Sequence, residues 1–210
     1  MQDLISRLND LKSNEVGGEV EERMAEFKEV GKSSERRWFS ELCFCILTAN
    51  CSAELAIEIQ NDLGAGGFVE LSFEELRDRL RNMGYRFYRV RARYIVKARE
   101  YAGKIKSIIT DFSTPADARG WLVENVKGVG YKEGSHFLRN VGYEELAILD
   151  RHILRILNKY DVIDKIPNTL TRSRYLSIEK NAKEVSAEID LSPGELDLYM
   201  WYMATGKVLK

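Results

Sequence analysis

Between Arg36 and Leu47 the apolar residues Trp38, Phe39, Leu42, Cys43, Ile46 and Leu47 recur at the spacing of a helix face. The same period dominates the rest of the chain, and no alternating apolar–polar run is long enough to build a sheet. Only three prolines interrupt the 210 residues. Such a chain has to bury helix faces against one another. It is expected to be all-α, with about nine or ten helices joined by short loops.

Three helix starts are written in local chemistry. Ser72 followed by Glu75 is a capping box, with Leu71 and Leu76 placed as its hydrophobic staple. Thr114 precedes Pro115, and Ser192 precedes Pro193: each pair puts a cap before a proline at the first helical position. Glycine groups at Gly17-Gly18, Gly64 to Gly67, Gly128 and Gly130 are expected to mark breaks. The Gly64–Gly67 group is not followed by Lys-Ser/Thr and no strand precedes it, so it reads as a helix connection rather than a phosphate cradle.

Hydrophobic residues make up 44% and charged residues 31%, the balance of a globular chain. No apolar run approaches the roughly 18 residues of a membrane span, and the first residues, MQDLISRLNDLKSNE, lack a signal peptide's basic start and apolar stretch. Cys43, Cys45 and Cys51 are odd in number and two lie in an apolar run, which disfavours a disulfide framework and points to the cytoplasm. Three cysteines are too few for an iron–sulfur cluster. With only His136 and His152 beside them, a zinc site is not expected either. No metal and no organic cofactor is implied.

The net charge of −1 argues against a nucleic-acid partner only until its distribution is considered. Arg77, Arg79, Arg81, Arg86, Arg89, Arg91, Arg93, Lys97, Arg99, Lys104 and Lys106 fall in one stretch, opposed by Asp78 and Glu100 alone. The acidic excess sits elsewhere, notably between Glu15 and Glu29. A basic face is therefore expected on a neutral molecule.

The stretch that carries chemistry runs from Trp121 to Asn140. A short amphipathic helix meets Gly128-Val129-Gly130, and a second helix follows with Phe137 and Leu138 on its apolar side. Two glycines around a small apolar residue permit a very tight turn. Backbone N–H groups there, and those opening the second helix, lack intrahelical partners and form a seat for a phosphate. Asp150 reads as the N-cap of a helix from Arg151 to Tyr160, where the positive end of the dipole favours a charged carboxylate.

Residues Val126 to Lys132, VKGVGYK, resemble the hairpin of the helix–hairpin–helix DNA glycosylase superfamily. Lys132 falls where bifunctional members keep a catalytic lysine. Asp150, within LAILDRHIL, falls where they keep a catalytic aspartate. Thr48-Ala49-Asn50 resembles the segment that inserts a polar side chain into the duplex, and Gly84-Tyr85-Arg86 resembles a wedge that contacts the orphaned base. The likeness spans about Arg36 to Tyr160. Without cluster cysteines or an N-terminal β-domain, the chain is most similar to the compact second class of 8-oxoguanine DNA glycosylase/AP lyase found in archaea and some bacteria.

The resemblance implies an all-α, two-lobed helix–hairpin–helix glycosylase fold with its active-site cleft between the lobes. One lobe is expected over residues 34–142; the other joins 1–33 to 143–210. It implies a monomer acting on damaged double-stranded DNA in the cytoplasm, on the nucleoid. Lys132 would attack C1′ as a neutral amine, giving a Schiff base and then β-elimination. Asp150 would stabilise positive charge on the sugar. Gly128 and Gly130 are expected to hold the DNA backbone, with His152 either a phosphate contact or a solvent-facing helix residue. Asn50, Tyr85 and Arg86 are expected at the wedge and orphan base. Tyr88, Trp201 and Lys210 are expected in the damaged-base pocket, Trp201 from an aromatic-rich last helix. Two rivals stay open: an oxidised-pyrimidine glycosylase/lyase of the same superfamily, and a non-catalytic helix–hairpin–helix DNA-binding protein.

Overall fold

In a computed structural model that describes residues 1–49 and 51–210, twelve α-helices and no strand form among the described residues. In chain order these are α1 (Gln2–Lys12), α2 (Glu15–Lys32), α3 (Glu35–Thr48), α4 (Ala53–Glu70), α5 (Phe73–Asn82), α6 (Tyr88–Ala98), α7 (Ile105–Thr110), α8 (Pro115–Asn125), α9 (Tyr131–Asn140), α10 (Arg151–Lys159), α11 (Arg172–Glu188) and α12 (Pro193–Thr205). A 3₁₀ turn, Arg99–Tyr101, follows α6. None of these helices is long and apolar enough to cross a membrane.

The helix count exceeds the expected nine or ten. One added break, the Ser13–Asn14 gap before α2, carries no glycine or proline signal; another isolates the six-residue α7 between a turn at Gly103 and the loop before Pro115. All three caps form as spelled out. Ser72 and Glu75 close a reciprocal capping box, as do Ser192 and Glu195, and Thr114 accepts from the Asp117 amide ahead of Pro115 at the helix start. One glycine group does not break a helix. Gly17 lies inside α2, and a Cβ there would stand 2.3 Å from the Lys12 carbonyl oxygen, so this glycine permits close approach of α1's end. At Gly64 (φ 58°, ψ −177°) the helical geometry of α4 is interrupted and two helical segments meet at a kink, so this group connects helices as expected.

The chain divides into two compact units, Met1–Glu29 with Gly142–Lys210, and Val30–Val141. The second unit is built around α3, buried from Trp38 to Thr48 on every side. It packs against α4, α6, α7 and α9. Such a helix is buried all round, and its polar residues need internal partners. Glu41 receives them: Gln60 Nε2 donates to one carboxylate oxygen and Asn140 Nδ2 to the other, each at 3.1 Å, and Arg37 pairs with it. His136 also turns inward, its ring edge-on to Phe44 at 5.5 Å.

In the first unit α12 packs on α10, α11 and α1. The residues ahead of α10, Leu146 to Leu149, are buried without secondary structure. Their backbone is satisfied by α11. Tyr175 Oη donates to the Ala147 carbonyl at 2.7 Å and accepts from the Leu149 amide at 3.2 Å, and Glu179 accepts from the Ala147 amide at 3.1 Å. Buried backbone outside a helix requires such partners.

Candidate functional site

The turn from α8 to α9 is set by two side chains of α6. Gly128 has φ +92°, and a Cβ built there would stand 2.4 Å from the Tyr94 ring and 3.1 Å from Arg91 Nη1. Only glycine fits both the conformation and the space. Gly130 follows in extended geometry, and its N–H donates to Glu133 Oε2 at 3.1 Å. Glu133 is the third residue of α9, so it caps the helix that it belongs to. Arg119 of α8 lies over the Tyr131 ring at 5.1 Å and donates to Ser135 at 3.0 Å, locking the two helices of the hairpin together.

Lys132 stands in the first turn of α9, half-buried. Its ammonium makes no hydrogen bond or ion pair among the described residues. The amides of the first turn lack intrahelical partners by geometry. The turn therefore offers N–H donors and an unpaired amine side by side, which suits a phosphate and a reacting sugar atom.

Asp150 caps α10. One oxygen, Oδ1, accepts from the His152 amide at 2.7 Å and the Ile153 amide at 2.9 Å. Oδ2 takes no hydrogen bond among the described residues. A carboxylate held this way has a fixed rotamer and one oxygen left for chemistry. His152 turns onto Trp201, edge-on at 5.1 Å, so its ring meets an aromatic partner rather than pointing outward. Trp201 Nε1 is buried without a hydrogen-bond partner among the described residues. Lys210 is half-buried beyond Val208, which is buried.

The wedge residues separate. Tyr85 is 2% exposed and donates to the Leu47 carbonyl at 2.7 Å. Burial pushes its phenol well above the usual tyrosine range. In this conformation Tyr85 is an interior pin on the end of α3. Arg86 is exposed, its guanidinium 5.1 Å from the Phe87 ring. Tyr88 is half-buried at the start of α6, with Arg81 6.0 Å from its ring centre. Asn50 lies outside the described residues.

The basic stretch is not one continuous face. Arg77 pairs with Asp78 and Arg79 with Asp62. Arg99 donates to the Phe68 and Leu71 carbonyls and so caps α4. Arg91 donates to backbone carbonyls. Arg89, Arg93 and Lys97 remain exposed on one stripe of α6, with no ion pair among the described residues. Of the positioning residues, Glu133 was legible as an acidic residue three places after Gly130. Arg91, Tyr94, Tyr175 and Glu179 carry no sequence signal, because their partners are remote in the chain.

The Ogg-HhH family, 8-oxoguanine DNA glycosylase, matches residues 20–191. An 8-oxoguanine DNA glycosylase/AP lyase from Methanocaldococcus jannaschii is 52% identical over 207 residues, 99% of each chain. One from Korarchaeum cryptofilum is 46% identical across 100% of this chain and 99% of its own. The crystal structure of the M. jannaschii 8-oxoguanine glycosylase/lyase in complex with a 15mer DNA containing 8-oxoguanine superposes with a TM-score of 0.96 at 51% identity, covering 99% of both chains.

Proposed function

Since the chain belongs to the 8-oxoguanine DNA glycosylase family, we propose that it excises 8-oxoguanine from duplex DNA and then nicks the strand, with Lys132 as nucleophile and Asp150 as the stabilising carboxylate. The observation that carries the assignment is the unpaired, half-buried Lys132 in the turn directly after Gly128-Val129-Gly130. Its amine attacks C1′ as the bond to the base nitrogen breaks, and the base leaves with that electron pair. Positive charge builds on the sugar in this step, and the oxygen of Asp150 not bound by backbone amides is available to face it. Loss of a proton from nitrogen and ring opening give the Schiff base. Removal of a C2′ proton then expels the 3′ phosphate and nicks the strand. The α9 amides and the hairpin backbone hold the phosphates, and Arg86 meets the partner strand. Tyr88, Trp201 and Lys210 are the candidates for recognising the flipped base. A flipped base needs an aromatic platform, and the orphaned Trp201 Nε1 supports a polar ligand beside that ring.

Borohydride reduction tests this directly. The wild-type protein is expected to crosslink to duplexes containing 8-oxoguanine or a preformed abasic site, and not to undamaged duplex. Lys132→Gln should lose the crosslink and the nick while still binding the damaged duplex. A crosslink formed by Lys132→Gln at the wild-type rate would assign the nucleophile to another amine. A preference for oxidised-pyrimidine duplexes would overturn the substrate.

A further inference from the structure

Arg91 projects from the packed side of α6, the side that carries the buried residues Ala92, Ile95 and Ala98. A guanidinium there requires partners, and it finds two carbonyls from distant parts of the chain. Nη1 donates to the Gly128 carbonyl at 3.4 Å and Nη2 to the Ala49 carbonyl at 3.4 Å. The guanidinium also lies 5.5 Å from the centre of the Tyr94 ring, and Gly128 rests against both side chains with no room for a Cβ. Ala49 is the C-cap of α3, whose end is pinned a second time by Tyr85 on the Leu47 carbonyl.

We propose that Arg91 is a positioning residue. By bridging Gly128 O to Ala49 O it fixes the glycine turn against the end of the central helix, and so sets where the first turn of α9 presents Lys132. The inference deepens the functional reading above and rests on it for its catalytic consequence. Two features distinguish this role from a phosphate contact. The donors are turned onto protein carbonyls, and the side chain sits on the packed side of α6, away from the exposed stripe of Arg89, Arg93 and Lys97. The planar fork matters because a lysine ammonium is a point donor that does not span both carbonyls.

The test compares wild type with Arg91→Met, which keeps the apolar packing on Tyr94, and Arg91→Lys, which keeps the charge. Single-turnover rates are measured at saturating duplex, below each variant's own melting temperature, on 8-oxoguanine and on preformed abasic DNA. Both variants are expected to lose about 10²-fold on both substrates, the cost of a small misplacement of a reacting group. The dependence of undamaged-duplex affinity on salt should be unchanged. A salt slope shallower by about 0.9, with the saturating rate intact, would make Arg91 a phosphate contact and overturn the inference. A lower melting temperature with an intact saturating rate would leave it a purely structural residue and overturn it equally. Hydrogen exchange of the hydrogen-bonded Val129, Gly130 and Gly134 amides in the free Arg91→Lys protein decides the same point without catalysis. Exchange about tenfold faster than wild type supports the bridge, and unchanged exchange rejects it. Wild-type protein that fails to crosslink to either duplex would remove the functional reading, while the exchange result still decides the bridge.

Discussion

Tyr85 donates its phenol proton to a carbonyl at the end of α3, where the helix itself supplies no partner. Tyr85→Phe should therefore leave the Leu47 oxygen buried and unsatisfied, at a cost of about 1–3 kcal/mol in denaturant unfolding. The same residue predicts an alkaline signature. Burial raises the folded-state phenol pKa, so the unfolded chain ionises first, starting near the ordinary tyrosine value of 10. Above that pH the native state binds the extra proton, and stability falls as pH rises, by about 1.4 kcal/mol per unit for this one group. Tyr85→Phe should remove that component, and equal alkaline slopes in the two proteins would contradict the burial argument. The residue also shows how far a motif can be read. Gly84-Tyr85-Arg86 is legible as a string, but which of its side chains turns inward depends on the α3 carbonyl that Tyr85 reaches, 38 positions earlier in the chain.

Helix starts were legible because capping is a transaction among four neighbouring residues, and Ser72, Thr114, Asp150 and Ser192 all cap as their spacing dictates. Glycines were harder, because a glycine that ends a helix and one that lets another helix approach look alike. Gly17 is of the second kind, and the carbonyl that demands it belongs to α1. The extended run before α10 was equally opaque: LAIL is simply apolar in sequence, and its backbone is satisfied by Tyr175 and Glu179 from α11. Asp150 stands at the end of that run and has two separable jobs at the scale of the helix. Asn accepts the same two amides as Asp, so Asp150→Asn should keep α10 capped and hold stability within about 0.5 kcal/mol. It removes the charge, so the rate of the crosslinking step should fall on the order of 10²-fold or more. Asp150→Ala should lose the cap as well, about 1 kcal/mol. An Asp150→Asn protein that reacts at the wild-type rate would reduce this residue to a cap.

Over the whole chain 32 basic residues meet 33 acidic ones, and the sum says little about what a polyanion encounters. Counting a basic run overstates the field, because arginines are consumed internally by partners the local sequence does not reveal. Arg79 is neutralised by Asp62 from α4, and Arg99 is turned onto α4's last carbonyls. Among the exposed charges that survive is the stripe Arg89, Arg93 and Lys97, spaced at four-residue intervals along α6. If that stripe meets the DNA backbone, each contact releases counterions, and the log–log salt dependence of binding steepens by about 0.9 per phosphate. Replacing all three by Ala should then flatten the slope for undamaged duplex by roughly 2 to 3. Replacing Arg77 and Arg79, whose charges are already paired, should change it far less. The comparison is made by titrating the same duplex at several salt concentrations with both variants. Equal flattening in the two would mean that the molecule's overall charge governs binding. A slope unaffected by the α6 substitutions would mean that this stripe faces away from the DNA, leaving the hairpin amides to hold the backbone.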